Sequence, residues 1–114
     1  MIDMDTFKES IDLICSSLGI CFDDCHGSFE FSFYSEAGQD FRCYINSCSD
    51  KGVLCSRLRD YIGSFNCFDE ARLWVGDDGH GKKGAPYYYR DIVKDMGYCK
   101  RKLRELLKLF REKL

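Results

Sequence analysis

The sequence reads SFEFSFYS at residues 28–35 and DFRCYIN at residues 40–46, and these two stretches decide the fold. Apolar and polar side chains alternate in both, as in β-strands with one buried face. Only residues 36–39, with the glycine-containing sequence EAGQ, separate them, so they are predicted to form an antiparallel hairpin. The apolar face carries Phe29, Phe31, Phe33, Phe41, Cys43 and Ile45. A hairpin with such a face needs cover, which helices are expected to provide.

A helix is predicted before the hairpin, over residues 5–18. Its apolar side chains recur at spacings of three and four, which places them on one face. Asp5 or Thr6 is the expected N-cap, and Gly19 the expected end. A loop containing the acidic pair at residues 23–24 is expected between this helix and the hairpin.

Two further helices are predicted after the hairpin, over residues 50–65 and 87–113. Pro86 suits the first turn of the long terminal helix. Residues 68–75 are consistent either with a helical turn capped by Asp69 or with a third strand. The apolar stripe of the terminal helix steps by three and four and comprises Ile92, Met96, Cys99, Leu103, Leu106 and Phe110.

Composition favours one ordinary globular domain. The chain has 114 residues, of which 45% are hydrophobic and 15% aromatic, and its net charge is −2, which argues against disorder. The sequence therefore predicts a single two-layer α+β domain over residues 1–114, with the hairpin packed against two or three helices. The acidic N-terminus and the absence of a long apolar run predict a cytoplasmic protein without a membrane contact.

Charge is unevenly distributed along the chain. Residues 1–50 carry ten acidic and two basic side chains, a net charge of −8, whereas residues 100–114 carry seven basic and two acidic ones, a net charge of +5. Such polarity can steer a charged partner toward one end of the molecule. The eight cysteines are interpreted as free thiols that pack as small apolar residues.

The segment GDDGHGKKGAP at residues 76–86 is the strongest functional candidate, because four glycines permit a close backbone approach to a ligand. Its spacing does not match a phosphate-binding loop of the common ATPase type. Exposed tyrosines at the start of the following helix are typical of protein contacts. The predicted partner-binding residues are Asp77, Asp78, His80, Lys82, Lys83, Tyr87, Tyr88 and Arg90.

Two alternatives remain open at this point. Lys82, Lys83, the tyrosines at residues 87–89 and the basic terminal helix would suit a small nucleic-acid-binding or regulatory protein. The loop that contains Cys21, Cys25 and His26 has a spacing close to that of zinc ligands, with Cys48, Cys55 or His80 as a fourth ligand. The preferred interpretation predicts no catalytic residue, metal or cofactor, and it leaves a homodimer through the terminal helix as a further expectation.

Four motifs resemble a family of short, uncharacterised proteins encoded by bacterial phages, prophages and conjugative elements. They are LWV at residues 73–75, DGHG at 78–81, GAPY at 84–87 and RDIVKD at 90–95. The resemblance covers roughly residues 28–110. It implies a mobile-element setting, in which small non-enzymatic inhibitors of host defence are frequent. We therefore expect an anti-defence protein, such as an anti-CRISPR, that binds a host protein or ribonucleoprotein complex.

Overall fold

The protein is an α+β domain, described by a computed structural model over residues 3–25, 27–46 and 48–114. Its elements in chain order are α1 (Met4–Ser17), β1 (Cys21–Cys25), β2 (Ser28–Tyr34), β3 (Asp40–Asn46), α2 (Lys51–Ser64), α3 (Cys67–Arg72) and α4 (Tyr89–Lys113). The three strands form one antiparallel sheet in the order β1-β2-β3. The predicted fold class is confirmed. Among the described residues, no helix combines the length and apolar character that a membrane crossing requires.

The predicted hairpin is formed by β2 and β3, and its apolar face is the floor of the core. Phe31 lies opposite Cys43, and Phe33 opposite Phe41, so alternate side chains of both strands point to the same side. All six predicted apolar residues of the hairpin are buried. The ring of Phe110 from α4 lies 6.0 Å from that of Phe31, which joins the helical layer to the sheet.

A third strand lies at residues 21–25, where the sequence predicted a loop. Phe22 pairs with Phe31 and packs edge-on against Phe29, with 5.1 Å between the ring centroids. Asp24, on the same side of β1, forms an ion pair with Lys8 of α1. The prediction was wrong because a five-residue edge strand with one aromatic residue has too few alternating positions to reveal its period.

Residues 68–75 do not form a strand. The helix α3 begins at Cys67, and its N-cap is Asn66, whose side chain accepts hydrogen bonds from the backbone N–H groups of Phe68 and Asp69. Asp69 is therefore in the first turn and is not the cap. Val75, beyond the helix, forms a single β-bridge with Gly81.

The helix ends differ from the predictions by one or two residues. The N-cap of α1 is Asp3, which makes no side-chain capping bond, and Gly19 follows the helix with a φ of 70°. The N-cap of α4 is Tyr88, so Pro86 precedes the helix and is not part of its first turn. Pro86 instead belongs to the loop that approaches α4.

The long helix α4 is packed along its length. All six residues of its predicted apolar stripe are buried within the chain, as far as Phe110. The stripe that suggested a homodimer is covered by α1, α2, α3 and the sheet, and a homodimer would have to use another surface.

One acidic side chain, that of Asp95, connects α4 to the turn between β2 and β3. It is only 4% exposed, and it accepts hydrogen bonds from Ser35 Oγ at 2.6 Å, from the backbone N–H of Ala37 at 2.9 Å and from Gln39 Nε2. A buried carboxylate needs hydrogen-bond donors in place of water, and these three donors meet that need. Sequence analysis did not single out this residue, although its position on the buried side of α4 was a signal.

Candidate functional site

The glycine loop, residues 76–86, is folded back on itself by backbone hydrogen bonds. The N–H of Gly76 donates to the carbonyl of His80 at 2.7 Å, and the N–H of Lys82 donates to the carbonyl of Trp74 at 2.9 Å. The N–H of Gly81 donates to the carbonyl of Tyr87 at 2.8 Å, which ties the loop to the residues before α4. The loop therefore has a defined shape of its own.

Gly81 is the position where the loop requires glycine. A Cβ atom there would lie 1.7 Å from the carbonyl oxygen of Pro86, a distance that no side chain tolerates. Gly79 and Gly84 have φ angles of 80° and 84°, in the left-handed region that favours glycine. These three glycines thus allow the backbone of residues 86–87, just before α4, to pack directly on residues 80–81.

Four predicted partner-binding residues meet where the glycine loop contacts the segment before α4. We call them the aromatic cluster: His80, Tyr87, Tyr88 and Arg90. The His80 and Tyr87 rings stack with their centroids 4.1 Å apart and 15° between their planes. Tyr87 and Tyr88 meet edge to face at 5.1 Å, and the guanidinium carbon of Arg90 lies 5.2 Å from the centre of the Tyr88 ring. Tyr87 and Tyr88 remain 58% and 52% exposed, so the cluster presents fixed aromatic surface to solvent.

Tyr89 does not share this exposure. Its hydroxyl donates a hydrogen bond to the carbonyl oxygen of Phe68 at 2.8 Å, and its ring packs on the core. The three consecutive tyrosines therefore divide into one structural residue and two surface residues, as the start of α4 turns the third toward α3.

The remaining predicted partner-binding residues lie in the glycine loop beside the aromatic cluster, and we call them the charged margin. They are Asp77, Asp78, Lys82 and Lys83, and their side chains are exposed. Asp78 Oδ1 accepts a hydrogen bond from the backbone N–H of His80 at 3.0 Å, whereas Asp78 Oδ2 lies 3.8 Å from His80 Nδ1. That second distance is too long for a hydrogen bond, so Asp78 does not orient the imidazole as a general base would require.

The predicted zinc ligands are not assembled in the described part of the chain. Cys21 and Cys25 lie in β1, while His26 falls outside the described residues. The ligand-type side chains that do converge there are Asp23, Cys25 and Glu30, with their ligand atoms within 4.8 Å of one another, and the set includes none of the other predicted ligands.

That group has an internal explanation in ion pairing and hydrogen bonding. Glu30 Oε1 accepts from Arg42 Nη1 at 2.6 Å, and Cys25 Sγ donates to Glu30 Oε2 at 3.4 Å. Partial burial and the hydrogen bond to Glu30 raise the pKa of the Cys25 thiol to about 11. The thiol is therefore neutral near pH 7, and its proton would have to leave before a metal could bind.

The cysteines of the helices and of the central hairpin behave as packing residues. Burial raises the pKa of Cys15, Cys43 and Cys99 to about 12.

The acidic residues of the first half of the chain, residues 1–50, are mostly exposed, and some of them are paired, as Asp40 is with Arg42 at 3.0 Å.

No family model, curated protein or solved structure matches the chain. The assignment of function therefore rests on the geometry of the aromatic cluster and its charged margin.

Proposed function

We propose that this chain is a non-catalytic protein-binding module whose contact surface is the aromatic cluster with its charged margin. One observation carries the proposal: Tyr87 and Tyr88 are more than half exposed, yet they are held in place by His80 and Arg90. Exposed aromatic residues and arginine are enriched in the energetic centres of protein interfaces.

The fixed geometry of the cluster favours binding in a second way. A side chain that is ordered before association loses less conformational entropy when the partner arrives. The hydrogen bond from Gly81 to Tyr87 and the close packing of Gly81 on Pro86 order the backbone beneath the rings. The surface is therefore preorganised, whereas a flexible glycine segment would need to be ordered on contact.

The partner that we propose is a protein of a bacterial host, in particular an effector complex of a defence system such as CRISPR. The support for this partner class is the resemblance of residues 73–95 to proteins of mobile elements. The acidic side chains of residues 1–50 add a charge pattern that complements the basic grooves of nucleic-acid-binding effectors.

Affinity capture from a bacterial host lysate tests this proposal. The full chain is compared with Tyr88→Ala, and Tyr34→Ala is the matched control because Tyr34 is 73% exposed on the sheet. We expect a specific partner that Tyr88→Ala loses and Tyr34→Ala retains. Failure to capture any specific partner, or equal loss in both variants, would contradict the proposal.

A second candidate function, binding of single-stranded nucleic acid, is favoured by the position of Arg90 over the ring of Tyr88. Aromatic rings beside basic side chains can stack with bases. Asp77 and Asp78 beside the cluster oppose this function, since they would repel phosphates. Retention of an oligonucleotide that decreases steeply with salt concentration would favour nucleic acid over protein, and no retention at low salt would eliminate it.

A further inference from the structure

In the part of the chain that the structure describes, the strand β3 is an edge of the sheet and pairs with β2 alone. Its inner side pairs with β2 along its whole length, and the sheet order is β1-β2-β3. Within the described ranges, no backbone hydrogen bond from another element reaches residues 40–46. Free donors and acceptors along such an edge are a template for an additional strand.

The outward-facing backbone groups of β3 can be identified. The carbonyl of Asn46 points away from β2, because it accepts a hydrogen bond from Arg57 Nη1 at 3.3 Å, on the α2 side. Successive residues of an antiparallel strand alternate between pairing inward and facing outward. The N–H and C=O groups of Tyr44, Arg42 and Asp40 therefore also face outward, and they are available to a neighbouring chain.

Two grooves lie along this edge, each of about 380 Å³. One is bounded by β3 and by Leu73 and Trp74, and the other by β3 and by Tyr61 of α2. Leu73 is 64% exposed, which leaves an apolar wall beside the strand. An occupant of the first groove would thus meet β3 on one side and the side chains of Leu73 and Trp74 on the other. The second groove is more polar, because Arg57, Asp60 and Ser64 also line it.

The opposite edge of the sheet is protected. The side chains of Asp23 and Asp24 are exposed on β1, and Asp24 is paired with Lys8 of α1. Charged side chains of this kind discourage the addition of another strand. The edge strand β3 also carries exposed charges, those of Asp40 and Arg42, but they are paired with each other at 3.0 Å. With seven residues it is longer than β1, which has five, and the two grooves lie beside it. For these reasons we take β3 as the edge that can accept another strand.

We propose that an extended segment of the partner protein binds along β3 as a fourth, outer strand of the sheet. Its alternate side chains are apolar where they pack on Leu73 and Trp74, and polar where they face solvent. This inference rests on the proposed function and deepens it. Lys82 lines the groove beside Trp74 and belongs to the glycine loop, so the strand site and the charged margin of the aromatic cluster are contiguous.

A displayed library of linear twelve-residue peptides, selected against the full chain, supplies the probe for this site. Two variants block the site in different ways. Tyr44→Pro removes an outward N–H group, and Tyr44→Ala is its control because it removes the side chain alone. Leu73→Asp places a charge in the groove, and Leu13→Asp is its control because Leu13 is 73% exposed on α1.

We expect the selected peptides to alternate between apolar and polar residues and to slow amide hydrogen exchange at Arg42 and Tyr44. Tyr44→Pro and Leu73→Asp should each weaken peptide binding by about tenfold or more, while both controls bind like the wild type. If Tyr44→Pro fails to fold, the Leu73→Asp comparison still decides the matter.

Three outcomes would overturn the inference. They are the absence of any enriched peptide, peptide binding that survives both blocking variants, and exchange protection at residues 40–46 that arises from self-association of the chain alone. Failure of the strand site can be distinguished from failure of the proposed function. Tyr88→Ala should still bind the selected peptides, and capture of a partner that depends on Tyr88 but not on Leu73 would remove only the strand site.

Discussion

Replacement of Asp95 by alanine is expected to destabilise the fold by about 3–9 kcal/mol. The carboxylate accepts hydrogen bonds from Ser35 Oγ, from the N–H of Ala37 and from Gln39 Nε2, and it is almost completely buried. Without it, three donors lose their acceptor at a cost of about 1–3 kcal/mol each. Since a domain of this size has a total stability of about 5–15 kcal/mol, the variant should lose a large part of its stability.

Asp95→Asn should be milder, with a loss of about 1–3 kcal/mol. Gln39 Oε1 is buried and has no hydrogen-bond partner among the described residues. A rotated Gln39 amide could therefore accept a hydrogen bond from the new Asn side chain, although the charge that strengthened the original bonds would be lost.

Urea denaturation followed by circular dichroism and by the fluorescence of Trp74, the single tryptophan, measures these free energies. Asp60→Ala is the control, because the Asp60 side chain is 69% exposed and a loss below about 0.5 kcal/mol is expected. A loss of less than about 1 kcal/mol for Asp95→Ala, or a larger loss for asparagine than for alanine, would refute the reasoning.

Three further predictions follow from packing and burial. Gly81→Ala should lower the free energy of unfolding by about 1–3 kcal/mol, because its Cβ would collide with the carbonyl oxygen of Pro86. The same variant should lose partner capture, and unchanged capture would contradict this prediction. Gly63→Ala, in open space within α2, should instead raise stability by about 0.5–1 kcal/mol in the same denaturation assay. Burial raises the pKa of Cys43 and Cys99 from 9.0 to about 12 in the folded protein. Because these thiols lose their protons at a lower pH in the unfolded chain than in the folded one, the free energy of unfolding should fall as the pH rises above about 9. A free energy of unfolding that does not change over this pH range would refute the prediction.

The parts of the fold with a clear period were predictable from sequence. The alternation around Phe29 to Phe33 and the three-four spacing from Ile92 to Phe110 each extend over several positions, and both describe the buried surfaces correctly. The strand β1 escaped prediction because it is short and because Asp23 and Asp24 resemble loop residues. Its formation depends on pairing with β2, which is a tertiary effect.

The candidate site was only partly predictable. A glycine-rich segment followed by exposed tyrosines suggested a contact surface, but composition could not reveal that His80 stacks on Tyr87 while Tyr89 turns inward. The requirement for glycine at residue 81 depends on a through-space contact with Pro86. In the same way, the role of Asp95 depends on a turn some 56–60 residues earlier in the chain.

Site-specific photo-crosslinking in the proposed bacterial host tests the central claim most directly. A photoreactive phenylalanine analogue is placed at Tyr88 in one sample and at Tyr34, an exposed tyrosine of the sheet, in the second. The account predicts a crosslink from residue 88 to one defined host protein and none from residue 34. A crosslink from residue 34 alone, or crosslinks from neither position, would contradict it.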